Sequence, residues 1–228
     1  MKGNKNSFKQ LLWLLALGML FSCAVKPPVK IAFLGDSITI GSGLENANEE
    51  CYPSQFNELL QEKFGDQYVV NNFAVSGRTM LRHGDRPLWN EPQFTSALEF
   101  KPDVVYIMLG TNDTKPQNWD EFGNEFAIDY QAMLDTFKVI NPDVQFILAF
   151  PPPAFKVQWG IRDSVIVNGV NPALDVLIRK NKTYSIDYYQ PLKNSSNLFP
   201  DAIHPNTEGA KEMATLLYDF FIHSTLNK

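Results

Sequence analysis

The stretch IAFLGDSITIGSG, residues 31–43, ends an apolar run in Gly35 and sets Ser37 two residues later. A serine hydroxyl attacks a carbonyl only when a positioned base takes its proton, so the histidines decide what Ser37 can do. There are three. His223 falls in the C-terminal tail. His83 stands in a long irregular stretch with Asp85 two residues on, which suits a rim position. His204 lies in FPDAIHPN, with Asp201 three residues earlier and Pro200 and Pro205 on either side. In a turn bounded in this way, residues i and i+3 can lie side by side. Asp201 could then accept from Nδ1 and leave Nε2 for Ser37, an arrangement that sets the tautomer and offsets imidazolium charge. Taken singly, each feature has a plainer role: Ser37 as the start of a helix, PDAIHP as a proline-bracketed loop with a capping aspartate.

Acyl transfer also needs donors aimed at the developing oxyanion. Gly77, after the second apolar stretch, offers a backbone N–H with no side chain in the way. Asn112, in LGTND, offers a side-chain amide, and Ser37 its own N–H. Gly77 and Asn112 are also ordinary turn residues. The competing chemistry is a phosphate cradle. Gly35, Gly41 and Gly43 match neither G-x-G-x-x-G nor G-x-x-x-x-G-K-[ST], and no lysine follows Gly41. The second apolar stretch runs as NNFAV into Ser76, with no acidic residue to hold a ribose.

Strands and helices alternate along the chain. Apolar runs at 31–34, 68–75, 103–109, 144–150 and 184–189 read as strands, and the unbroken run DVVYIML fits a sheet covered on both faces. Helical spacing appears at 53–64, 94–100, 121–140, 172–180 and 207–221. Residues 76–92 stay irregular. This alternation predicts a parallel sheet with helices on both sides, and sites in such folds lie beyond the carboxyl ends of the strands. The candidate residues fall just after strands one, two and three and just before the last helix.

Four short blocks, GDSIT at 35–39, AVSGRT at 74–79, GTND at 110–113 and DAIH at 201–204, resemble in type and order those of the SGNH (GDSL) hydrolases. The first reads GDSI where the family has GDSL, an apolar exchange. The resemblance implies Ser37 as nucleophile, His204 as general base, Asp201 as its orienting acid, and Ser37, Gly77 and Asn112 as the oxyanion hole. It implies a three-layer α/β/α sandwich of flavodoxin type, with five parallel strands ordered 2-1-3-4-5, and an ester hydrolase needing no cofactor and no metal. Arg78, Trp89 and Trp159 stand in loops at the site end of the sheet, where aromatic planes beside polar groups suit sugar rings. The resemblance is nearest to bacterial lipoproteins that remove O-acetyl groups from carbohydrates. Alternatives are a short-chain arylesterase, thioesterase or lysophospholipase on the same fold, or a glycan-binding lipoprotein without catalysis.

Composition is consistent with this. The chain is 44% hydrophobic and 20% charged, the balance of a globular protein, and its net charge of −5 argues against nucleic acid or an anionic membrane surface as partner. Lysines 2, 5 and 9, the apolar run 11–21 and the small residues 22–24 follow the order of a secretory signal. The run is about half the ~20 residues that a membrane span needs. LFSC resembles a lipobox, which implies lipidation of Cys23 after removal of residues 1–22, a linker over 23–29, and a hydrolase domain over 30–228 anchored in the bacterial envelope, in the periplasm or on the outer membrane. Cys51 is then the only other cysteine and reads as a small buried hydrophobe.

Overall fold

A computed structural model describes residues 27–227. The expected leader 1–22, the lipidated Cys23 and most of the linker lie outside the described residues. The first strand pairs from Val29 onward.

Five strands form the sheet: β1 (Val29–Gly35), β2 (Tyr68–Asn72), β3 (Val104–Met108), β4 (Gln145–Phe150) and β5 (Tyr184–Asp187). All neighbours are parallel, in the order β2-β1-β3-β4-β5. The parallel direction is that expected from the alternating pattern, and the order is the one the family resemblance implies. The two-residue period of a strand explains how one apolar run serves two cores. Ile31 and Phe33 of β1, with Tyr106 and Met108 of β3, enter one core beneath α2 (Tyr52–Phe64) and α7 (Thr207–His223). Leu34, Val105 and Ile107 enter the other, beneath α3 (Pro92–Phe100), α5 (Phe126–Ile140) and α6 (Asn171–Asn181). The two helical layers and the sheet make the three-layer sandwich.

Three expectations are corrected. The helix expected over 121–140 is two, α4 (Pro116–Phe122) and α5, parted by a turn at Gly123–Glu125. The Trp119 indole occupies the space where Gly123 would carry a Cβ, which would come within 2.9 Å of the ring. The strand expected over 184–189 stops at Asp187, whose Oδ1 accepts the N–H groups of Tyr189 (2.7 Å) and Gln190 (3.1 Å) and starts a helical turn. His223 does not belong to a tail, since it closes α7 with Nδ1 2.7 Å from the Asp219 carbonyl.

The sheet delivers the site through the turn after β1. Gly35 is followed by the single-turn helix α1 (Ser37–Ile40), which ends at Gly41 in the left-handed region (φ +86°). Thr39 folds back beneath Gly35, so that a Cβ there would fall 2.1 Å from Thr39 Oγ1 and 2.5 Å from its Cβ. Thr39 cannot swing away freely, because its hydroxyl is buried and lies 2.9 Å from the Tyr52 hydroxyl. Gly35→Ala is therefore expected to lower stability by about 1–3 kcal/mol through overpacking. Urea denaturation checks this, and a midpoint equal to wild type contradicts it.

Candidate active site

Asp36 governs the head of α1. Its Oδ1 accepts the Ile38 N–H at 3.0 Å, which makes Asp36 and not Ser37 the helix cap. Ser37 is the first helical residue, 7% exposed, and its hydroxyl is not spent on capping. The other carboxylate oxygen of Asp36 accepts from Asn112 Nδ2 at 3.0 Å across 76 residues of sequence. One buried carboxylate thus orients both the start of the helix and the amide expected in the oxyanion hole. Burial pushes the Asp36 pKa up to about 6, against the pull of the Ile38 N–H, the nearby His204 ring, Asn112 and Lys115. Sequence reading assigned Asp36 no role. An aspartate directly before a helical turn was the available signal.

His204 stands on the turn before α7, whose cap is Asn206. As the i, i+3 spacing predicted, Nδ1 is 2.7 Å from Asp201 Oδ2. Oδ1 of the same carboxylate accepts the N–H groups of Ile203 (2.9 Å) and His204 (2.7 Å), so the acid is fixed by the backbone that carries its partner. Burial alone would raise the Asp201 pKa, but the hydrogen bonds from His204 and Ile203 outweigh it and the net shift is downward. Ala202, between the two, takes φ +74°, a conformation uncommon outside glycine. With Nδ1 facing a carboxylate, the neutral ring carries its proton there and presents Nε2 as the acceptor. That Nε2 is buried and has no hydrogen-bond partner among the described residues, Ser37 Oγ included.

Gly77 reaches the site because the chain after β2 keeps pairing with β1. Val75 N–H donates to the Gly35 carbonyl at 3.1 Å, two residues before Gly77 and Ser37 respectively. Gly77 takes φ +79°, which glycine adopts without strain. The irregular stretch 76–92 is held by buried side chains from beyond it. Asp113 accepts the N–H groups of Met80 (3.1 Å) and Leu81 (2.8 Å), Asp129 that of Arg82 (2.8 Å), and Asn118 Oδ1 that of Asp85 (2.8 Å). No local pattern marks Asp113 or Asn118 for this duty. Asp113 is fully buried, and desolvation pushes its pKa up to about 7 against its backbone donors. His83, expected at a rim, is exposed with Nδ1 2.7 Å from Glu125 Oε2, whose hydrogen bond and charge raise its pKa.

The three expected substrate contacts part company. Trp159 lies at the tip of a tight hairpin, Gln158 to Ile161, closed by Ile161 N–H to the Gln158 carbonyl at 2.9 Å. Both central residues, Trp159 (φ +51°) and Gly160 (φ +81°), are left-handed, as a type I′ turn requires. The indole is 57% exposed, and its ring centroid lies 5.3 Å from that of His204. Arg162 roots the hairpin through Nε to the Thr114 carbonyl (2.6 Å) and its ion pair with Asp120. Arg78 and Trp89, by contrast, are committed to their own loop. Arg78 pairs with Glu91 at 2.7 Å. Trp89 donates its indole N–H to the Met80 carbonyl, packs on Phe94 and is covered by the Arg82 guanidinium at 3.9 Å. Both side chains, expected to contact substrate, have partners within the protein. Cys51 is buried, 2% exposed. Among the described residues no group of three His, Cys, Asp or Glu side chains could hold a metal ion, and no helix is long and apolar enough to cross a membrane.

A profile of the GDSL-like Lipase/Acylhydrolase family matches residues 33–212. An acetylxylan esterase of Xylanibacter ruminicola is 38% identical over 210 residues, which is 83% of this chain and 42% of that protein. An acetylxylan esterase/glucomannan deacetylase of Cellvibrio japonicus is 22% identical over 76% of this chain and 57% of its own length. The chain spans about half the length of the curated relatives it matches. Among solved structures, the acetyl xylan esterase AlAXEase superimposes with a TM-score of 0.67 at 23% identity, covering 84% of this chain and 99% of that one. An acetylxylan esterase of Geobacillus stearothermophilus gives 0.59 at 23% identity over 85% and 95%. At this identity the structural likeness shows the fold.

Asp113 provides a test of how the loop is held. Its folded pKa lies above its unfolded one, so the folded state keeps a proton that the unfolded state releases. Its contribution to stability therefore falls as pH rises from about 4 to about 7. In Asp113→Asn that slope should flatten by up to about 1.4 kcal/mol per pH unit within this window. Urea denaturation at intervals across it measures the difference, and equal slopes contradict the assignment.

Proposed function

As the chain belongs to the GDSL-like lipase/acylhydrolase family, we propose that it is a serine esterase removing acetyl groups from O-acetylated plant-type polysaccharides through an acyl-enzyme. The observation that carries this reading is the His204 ring: Nδ1 tied to Asp201, Nε2 buried and without a partner, beside the turn that presents Ser37. A base held in one tautomer with its acceptor nitrogen unspent is what an unactivated hydroxyl requires.

Nε2 takes the proton of Ser37 Oγ as the oxygen bonds to the acetyl carbonyl carbon. The carbonyl electron pair moves onto its oxygen, where the N–H groups of Ser37 and Gly77 and the Asn112 amide hold it. The tetrahedral centre collapses, the C–O bond to the sugar breaks, and the leaving alkoxide takes the proton from His204. Water then attacks the acetyl-serine by the same steps, giving acetate and free Ser37. Asp201 offsets the imidazolium charge while keeping its own proton off. Asp36 keeps the Asn112 amide turned toward the hole. The polysaccharide part of the reading is supported by the names of the two relatives and by the exposed Trp159 plane beside His204.

Ser37→Ala is expected to lower acetate release from p-nitrophenyl acetate by at least about 10³-fold with the fold intact. Wild type should prefer acetyl over octanoyl esters. Activity retained in the variant contradicts the nucleophile, and a preference for the long chain favours the lysophospholipase alternative. Trp159→Ala should raise KM for acetylated xylo-oligosaccharides several-fold more than for p-nitrophenyl acetate, because stacking at this position is worth about 1 kcal/mol or more. Equal changes on both esters contradict a sugar contact.

A further inference from the structure

Four of the five arginines are ion-paired: Arg78 with Glu91, Arg82 with Asp129, Arg162 with Asp120 and Arg179 with Asp175. Arg86 is the exception. Its side chain is exposed and has neither an ion pair nor a hydrogen bond among the described residues. It does not dangle into solvent away from the site. The guanidinium lies against Gly77, on the side where that glycine lacks a side chain, with NH1 3.7 Å and Cδ 3.8 Å from the position a Cβ would take.

The backbone beneath it is firm. The Thr79 N–H donates to the Arg86 carbonyl at 3.0 Å, Leu88 N–H returns to the Thr79 carbonyl at 3.0 Å, and the adjacent Asp85 N–H is held by Asn118. The carboxylate next to it in sequence is turned away and already engaged. Asp85 accepts from Asn118 Nδ2 (3.0 Å) and Gln117 Nε2 (3.2 Å), with Lys115 Nζ at 3.9 Å. A rigidly rooted, unneutralised guanidinium therefore stands at the mouth of the site in a protein whose net charge is −5.

We propose that Arg86 is a specificity residue that binds a carboxylate on the substrate, so that the preferred polysaccharide carries uronic acid groups near the acetyl ester. The planar fork of a guanidinium matches a carboxylate in two parallel hydrogen bonds. The inference rests on the acetylesterase reading above and narrows its substrate class. Trp159 and Arg86 come from the loops after β4 and β2, strands with β1 and β3 between them, so the aromatic plane and the cation flank the nucleophile from opposite sides.

The test compares kcat/KM on acetylated xylo-oligosaccharides with and without one uronic acid side group. Wild type should favour the acidic one. Arg86→Gln should lower the acidic-to-neutral ratio about tenfold to a hundredfold, with Arg86→Lys between the two. Raising the salt from about 0.02 to about 0.5 M should shrink the wild-type ratio, since the pair is open to solvent. A second arm needs no sugar turnover. The unacetylated acidic oligosaccharide should inhibit p-nitrophenyl acetate hydrolysis by wild type more strongly than its neutral counterpart, and Arg86→Gln should lose the difference. Equal rates and equal inhibition by the two oligosaccharides in wild type overturn the role of Arg86 while leaving an active esterase. Equal loss on both oligosaccharides in Arg86→Gln overturns it as well. Hydrolysis of p-nitrophenyl acetate without hydrolysis of either oligosaccharide rejects the polysaccharide reading, and the inhibition arm still decides whether Arg86 binds the carboxylate.

Discussion

A carboxylate taken out of water must be surrounded by donors, and here that constraint organises the catalytic end of the sheet. Asp36 and Asp113 are both buried at the carboxyl ends of β1 and β3. Each satisfies itself by gripping something the site needs. Asp36 takes the Ile38 N–H and the Asn112 amide, joining the head of α1 to the loop after β3. Asp113 takes two successive backbone N–H groups from the loop after β2. Neither acid has a cation in hydrogen-bond contact, which is why burial raises both pKa values. The site is thus built at the expense of charge stability, and the rest of the fold compensates with two well-filled apolar cores.

Asp201 follows a different physics. It is partly exposed and receives three hydrogen bonds from a single turn, and its pKa falls. The contrast between a lowered acid beside His204 and raised acids beneath the oxyanion side separates two duties. In the proposed mechanism one carboxylate stays ionised to support a charge that appears on the imidazole. The others hold backbone in place. Two of the four non-glycine residues with positive φ, Lys101 and Lys182, close helices, while the other two, Ala202 and Trp159, display His204 and the indole beside it. Each conformation costs about 1 kcal/mol and persists because neighbouring hydrogen bonds require it.

Much of the fold was legible because its signals are short-range. Apolar runs of four to eight residues place the strands of a doubly covered sheet wherever they occur. Alternation with helices then permits few topologies, and the resemblance carried by the four short blocks singled out the 2-1-3-4-5 order. The helix expected over 121–140 failed at Phe122, whose backbone leaves the helical region (φ −123°, ψ 4°) although its residue type gives no sign of a break. The strand expected over 184–189 failed because an aspartate side chain can begin a turn inside an aromatic run.

The sequence by itself determined the Asp201–His204 pair, since three residues in a proline-bounded turn bring two side chains together whatever surrounds them. It also determined that Ser37 follows a strand, and so stands at the sheet's carboxyl end. Tertiary structure alone decided which loop side chains remain free to meet a ligand. Arg78, Arg82, Trp89 and Arg86 share one irregular stretch and cannot be told apart by type or spacing. Glu91, Asp129 and Phe94 occupy the first three, while Asn118 and Gln117 draw Asp85 away from the fourth. A charge is spent or unspent according to the partners that long-range packing brings to it, and that sum is written in no short segment of the chain.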